Sequence, residues 1–153
     1  MKKIGLICLS TMITFIALGQ ATEKNGVFCD SAGQPYNGIH QEYHSDGTMA
    51  SLMNVASGLL HGEIIFYTST GGVEEKGNYN HGKKSGVWHQ YNTSGALIGE
   101  GFYKEGLKDG IWTVWDDQGV KRYHMVYSMG KKVDVWKMWD ERAVLVSERM
   151  YNE

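Results

Sequence analysis

A 24-residue period constrains this chain more than any other feature. Gly38, Gly62, Gly86 and Gly110 stand 24 apart, and Asp134 continues the column. Gly47, Gly71, Gly95 and Gly119 form a second column ending in Ala143, and Gly58, Gly82, Gly106 and Gly130 form a third. Rings recur at the same interval. Tyr43, Tyr67, Tyr91, Trp115 and Trp139 make one column, and Val55, Tyr79, Tyr103, Tyr127 and Tyr151 make another. A further column reads His40, Ile64, Trp88, Trp112, Trp136. Self-similarity at a fixed period marks a repeat array, in which each unit buries its apolar face against its neighbours.

The content of one copy decides what the unit is. In Ser85 to Lys108, Val87 to Tyr91 is a short β-favouring run, and Asn92-Thr93-Ser94-Gly95 is a turn with glycine placed for positive φ. Ala96 to Lys104 reads as a second strand, and Glu105-Gly106 with the stretch up to Gly110 leads into the next copy. Strand, turn, strand, turn leaves no room for a helix of ordinary length. Twenty glycines against one proline fit so many turns. The expected fold is all-β, a single-sheet β solenoid of five tandem 24-residue β-hairpin repeats. The copies fall at about 37–60, 61–84, 85–108, 109–132 and 133–153, with 22–36 as an N-terminal linker or cap.

A thin sheet must cover its own apolar groups, and the ring columns do this by aligning into ladders across neighbouring strands. Trp88 and Tyr91 are three apart, which in a flat strand puts them on opposite faces. Either both faces carry a ladder or a bulge turns one ring over. The outer copies differ from the middle ones, with His40 and Val55 replacing rings and Asp134 and Ala143 replacing glycines, as expected of terminal units.

Residues 1–21 read as a cleavable signal peptide. Met1-Lys2-Lys3 is basic, Ile4 to Leu18 is apolar, and Ala17, Gly19 and Ala21 supply small residues for cleavage after Gly19 or Ala21. The apolar stretch is short for a membrane span. The expected location is periplasmic or extracellular. Loss of Lys2 and Lys3 lowers the basic count from 15 to 13 against 17 acids, a net charge of −4. That balance gives no electrostatic footprint for nucleic acid. Cys29 alone survives cleavage, too few for an internal disulfide or a thiolate metal site.

The chemical candidates are weak. His40-Gln-Glu-Tyr-His44 resembles a zinc motif, but in a strand its two histidines lie about 13 Å apart. His61 and His81 read as solvated loop residues, and His89 and His124 as strand residues that pack or face water. Asp109, Asp116, Asp117, Asp134, Asp140 and Glu141 fall in turns that carboxylates commonly stabilise. Gly82-Lys-Lys-Ser-Gly86 leads into a strand, where a phosphate loop needs a helix. Lys83-Lys84, Lys108 and Lys131-Lys132 read as edge lysines that keep sheets apart. No catalytic, cofactor-binding or metal-ligating residue is expected, and the chain is not expected to be an enzyme.

Gly86-Val-Trp-His-Gln-Tyr91 with Gly95 and Tyr103-Lys-Glu-Gly106 resembles the MORN repeat, in its bacterial variant form. The pattern recurs at Gly110-Ile-Trp-Thr-Val-Trp115 with Gly119 and Tyr127-Ser-Met-Gly130, and covers about Tyr36 to Tyr151. The resemblance implies a scaffold or binding surface, and some relatives are described as antitoxin or immunity-type partners of a toxin. The expected function is therefore an exported, non-enzymatic protein-interaction or structural module. Its partner is an unidentified protein, with antitoxin activity or peripheral membrane contact as alternatives. Trp88, Tyr91, Trp112, Trp115, Trp136 and Trp139 are the candidate partner-binding residues, because exposed aromatics dominate binding hot spots.

Overall fold

The computed structural model of the chain describes residues 21–152. The signal peptide expected at residues 1–21 lies outside the described residues, save Ala21. Strands β1 (Thr22–Lys24) and β2 (Val27–Cys29) form a separate hairpin. The remaining ten are β3 (Gly38–Tyr43), β4 (Met49–Ala56), β5 (Leu59–Tyr67), β6 (Val73–Asn80), β7 (Lys83–Tyr91), β8 (Leu97–Lys104), β9 (Leu107–Trp115), β10 (Lys121–Ser128), β11 (Lys131–Trp139) and β12 (Leu145–Tyr151). They make one open antiparallel sheet in chain order. The described residues contain no helix.

Two turns alternate along the sheet, each set by its own residues. The tight one joins hairpins. Ser57-Gly58, His81-Gly82, Glu105-Gly106 and Met129-Gly130 all have positive φ at both positions, the two-residue turn whose twist matches flanking strands. Asn25-Gly26 closes β1 and β2 in the same way. The wide one closes each hairpin over five residues. In 92–96 the Asn92 N–H donates to the Ala96 carbonyl at 3.0 Å, and the Gly95 N–H donates to the Asn92 carbonyl at 2.9 Å. Asn92 Oδ1 also accepts the N–H groups of Ser94 and Ala96, and Asp116 and Asp140 accept the equivalent pairs in later copies. The carboxylates expected to serve turns do so at these positions.

Only Glu105-Gly106 turns the chain between copies; the stretch after it, expected to be part of the connection, is already strand β9. Two successive residues with positive φ reverse the backbone at once, so no longer connection is needed. Gly110 lies inside β9 at φ 71°, where the register with β8 slips between Gly101 and Tyr103. The same bulge recurs at Gly62, Gly86 and Asp134, which adopts φ 58°, while the first copy begins on the edge strand β3 and has no strand before it to slip against. A strand begins at Leu59, Lys83, Leu107 and Lys131, two residues before the boundaries drawn from sequence.

The two ring columns occupy opposite faces. On one, Tyr79, Trp88, Tyr103, Trp112, Tyr127, Trp136 and Tyr151 form a continuous ladder with centroids 4.9–6.1 Å apart. Tyr91 lies on the other, 6.3 Å from His89 and 5.6 Å from the Lys76 ammonium, residues that pair across β6 and β7. Trp88 and Trp112 fit because the strand beside each carries no side chain at the contact. A Cβ at Gly77 would meet the Trp88 ring at 2.3 Å, and one at Gly101 would meet Trp112 at 2.2 Å. Each indole N–H then donates to a strand carbonyl, Trp88 to Asn78, Trp112 to Phe102 and Trp136 to Val126.

The core sits where the β1–β2 hairpin folds over the first strands. Ala21 and Phe28 pack with Met53, Val55, Ile64 and Trp88. The Phe28 N–H donates to the Gly58 carbonyl at 2.8 Å, and the Gly58 N–H to the Tyr36 carbonyl at 2.8 Å, so the hairpin is tied to the first tight turn. The segment expected to be a linker or cap covers this end.

Candidate interaction face

The ladder face is built from three parallel rows of side chains. In the outermost row, Lys84, Lys108 and Lys132 lie over the rings of Trp88, Trp112 and Trp136 at 3.6, 4.0 and 4.5 Å. These lysines were expected to guard sheet edges, but the edges are β3 and β12, and the 24-residue spacing instead sets each ammonium on an indole. Such contacts are worth about 0.5–2 kcal/mol according to exposure. Burial and the neighbouring Lys84 charge push the pKa of Lys108 down, while the indole face opposes this by favouring the charged form. Burial likewise raises Tyr79, Tyr103 and Tyr127, so all three keep their phenolic protons at neutral pH.

The middle row holds the tryptophans. Trp88 is 2% exposed, a core residue; Trp112 and Trp136 are half-buried in the ladder. On the opposite face Tyr91, Trp115 and Trp139 are also half-buried, and Trp139 has the Lys121 ammonium 5.7 Å above its ring. The six candidate rings therefore divide between two faces and do not converge on one site.

The third row is the one that sequence reasoning missed. Glu42, Ser51, Phe66, Glu75 and Gln90 are paired in register from β3 to β7, so they line up across the ladder face. Two hollows open beside this row and share Phe66. One, of about 340 Å³, lies between the β1–β2 hairpin and the sheet, among Glu23, Phe28, Glu42, Met53, Leu60, Ile64, Phe66 and Tyr79. The other, of about 430 Å³, lies at the wide-turn end of the sheet, among Phe66, Glu74, Glu75, Gln90 and Ile98, and reaches Tyr91 of the opposite face. Glu42 Oε2 accepts the Ser51 hydroxyl at 3.1 Å, and Glu75 pairs with Lys84 at 3.1 Å. Glu74 has no ion-pair partner among the described residues. The columns containing these positions change residue type from copy to copy, which is the one signal of them in the sequence.

The histidines take separate roles. His40 is buried against the Phe28 ring at 5.0 Å, while His44 Nε2 meets the Tyr67 carbonyl at 2.9 Å, so the two serve different contacts. His61 is a residue of strand β5 and not of a loop, and its ring meets that of His81 edge-on at 4.9 Å because the Gly82 N–H of the next tight turn donates to the Leu60 carbonyl. His89 pairs with Glu100 at 3.2 Å. Among the described residues, no three His, Cys, Asp or Glu side chains are grouped to hold a metal ion.

Residues 60–81, the span from β5 through β6 to the tight turn, match the MORN repeat variant family. That match supports a MORN repeat protein. It falls on one copy, and the two copies that follow share its strand lengths of nine and eight residues, its turn geometry and the 24-residue spacing, while β3 and β12 of the outer copies are shorter. No curated protein matches the chain.

Proposed function

We propose that the chain is an exported, non-enzymatic protein-interaction module that receives its partner on the ladder face. One observation carries this reading: two adjoining hollows on the open sheet share Phe66 and join apolar side chains to carboxylates. The MORN repeat match favours a module for protein or membrane interaction, and this all-β repeat fold is typically non-catalytic. Protein is favoured over membrane because Lys84, Lys108 and Lys132 lie on ring faces, and Lys84 is also paired with Glu75. Export follows from the basic, apolar and small-residue order of residues 1–21. Affinity capture from the envelope and secreted fractions tests the proposal, comparing the mature chain with its Phe66→Lys variant. The expected result is one dominant protein, held by the parent and lost by a variant that melts like it. Identical retention by both chains would place binding elsewhere.

The bacterial variant resemblance supports a second reading, an antitoxin or immunity role. It differs only in the partner, and a captured toxin would establish it.

A further inference from the structure

The two hollows have a common character. One joins Met53, Leu60, Ile64, Phe66 and Tyr79 to the carboxylates of Glu23 and Glu42, and the other joins Phe66 and Ile98 to those of Glu74 and Glu75. The local cations do not balance this. Lys84 meets Glu75, and among the described residues no lysine or arginine lies within ion-pair distance of Glu23, Glu42 or Glu74. Glu23 accepts only the Gly26 N–H, within its own turn. Apolar groups beside carboxylates suit a side chain that is apolar along its stem and positive at its tip, as lysine and arginine are. Farther along the same face the charge reverses, where Lys108, Lys132 and Arg149 overlie the rings.

We infer that the Phe66 trough binds a basic peptide segment carrying aliphatic side chains, presented by the partner protein. This rests on the interaction module proposed above and specifies its ligand. Aliphatic groups of the segment cover Phe66 and Leu60 while its cations meet Glu42 and Glu74. The same carboxylates repel an acidic segment.

Calorimetric titration of the mature chain tests this, with a synthetic amphipathic leucine–lysine peptide as probe and its leucine–glutamate counterpart as control. The leucine–lysine peptide should bind, and more weakly as salt rises. Glu42→Gln with Glu74→Gln should weaken it about five- to tenfold, since each exposed pair is worth up to about 1 kcal/mol. Glutamine at residue 42 can still accept the Ser51 hydroxyl. Asp117→Asn with Glu141→Gln removes as much charge at the wide turns and should leave binding unchanged. Absence of binding, equal binding of the acidic peptide, or equal weakening by the two double variants would each overturn the inference. A captured partner lost with Phe66→Lys but held by the Glu42→Gln, Glu74→Gln chain would keep the module and remove the basic segment.

Discussion

At the scale of single residues, what matters most is where a side chain is absent. Gly77 and Gly101 have ordinary strand backbone, and their value lies in the space above them, which an indole fills. Gly95 is the opposite case, with nothing within 4 Å of its Cβ position but φ at 82°. Gly101→Ala should therefore cost about 1–3 kcal/mol through overpacking against Trp112, measured by urea unfolding. Because the clash is with a ring, Trp112→Leu in the same chain should recover part of the loss. No recovery would mean that the glycine serves the backbone. The turn glycines were legible from their columns. Gly77 and Gly101 were not, because their column reads Met53, Gly77, Gly101, Met125, Arg149 and shows its logic only beside the facing column of Ile64, Trp88 and Trp112.

At the scale of elements, hairpins and wide turns could be read directly, since 24 residues of alternating strand and turn signals admit little else. The bulge at Gly110 could not, because the same glycine fits a connection or a strand kink, and only the pairing with β8 decides. Nor could the lysine positions be read, since their seat on the indoles depends on that bulge. The wide turn of Asp116 makes an element-level prediction. Burial alone would raise its carboxyl, but the N–H of Val120, the Arg122 guanidinium and the N–H of Gln118 outweigh this and leave it lowered. A carboxyl lowered in the folded state stabilises above its unfolded value, about 3.9, and loses that contribution as pH falls through the folded value. Asp116→Asn should melt below the parent at pH 7, with the gap narrowing as pH falls below about 4. A gap constant with pH would remove the carboxylate from the turn's stability.

At the scale of the whole molecule, repetition builds a sheet and variation equips it. Constant columns of glycine, tyrosine and tryptophan satisfy the sheet's own needs, so the residues most conspicuous in the sequence, Trp88 above all, are largely consumed by the fold. The trough arises from departures in the early copies, where Glu42, Phe66 and Glu75 stand in the row that later copies fill with Gly99, Val114 and Tyr123. Those departures have no period and no motif, and they acquire meaning only once register brings them together beneath the N-terminal hairpin. Carboxyl footprinting of the chain with and without its captured partner addresses this directly, using carbodiimide-coupled glycine ester read by mass spectrometry. Glu42 and Glu74 should lose labelling in the complex, while Glu100, Glu141 and Glu148 keep it. Protection of Glu100 and Glu148 with undiminished labelling at Glu42 and Glu74 would put the partner on the opposite face and contradict the assignment.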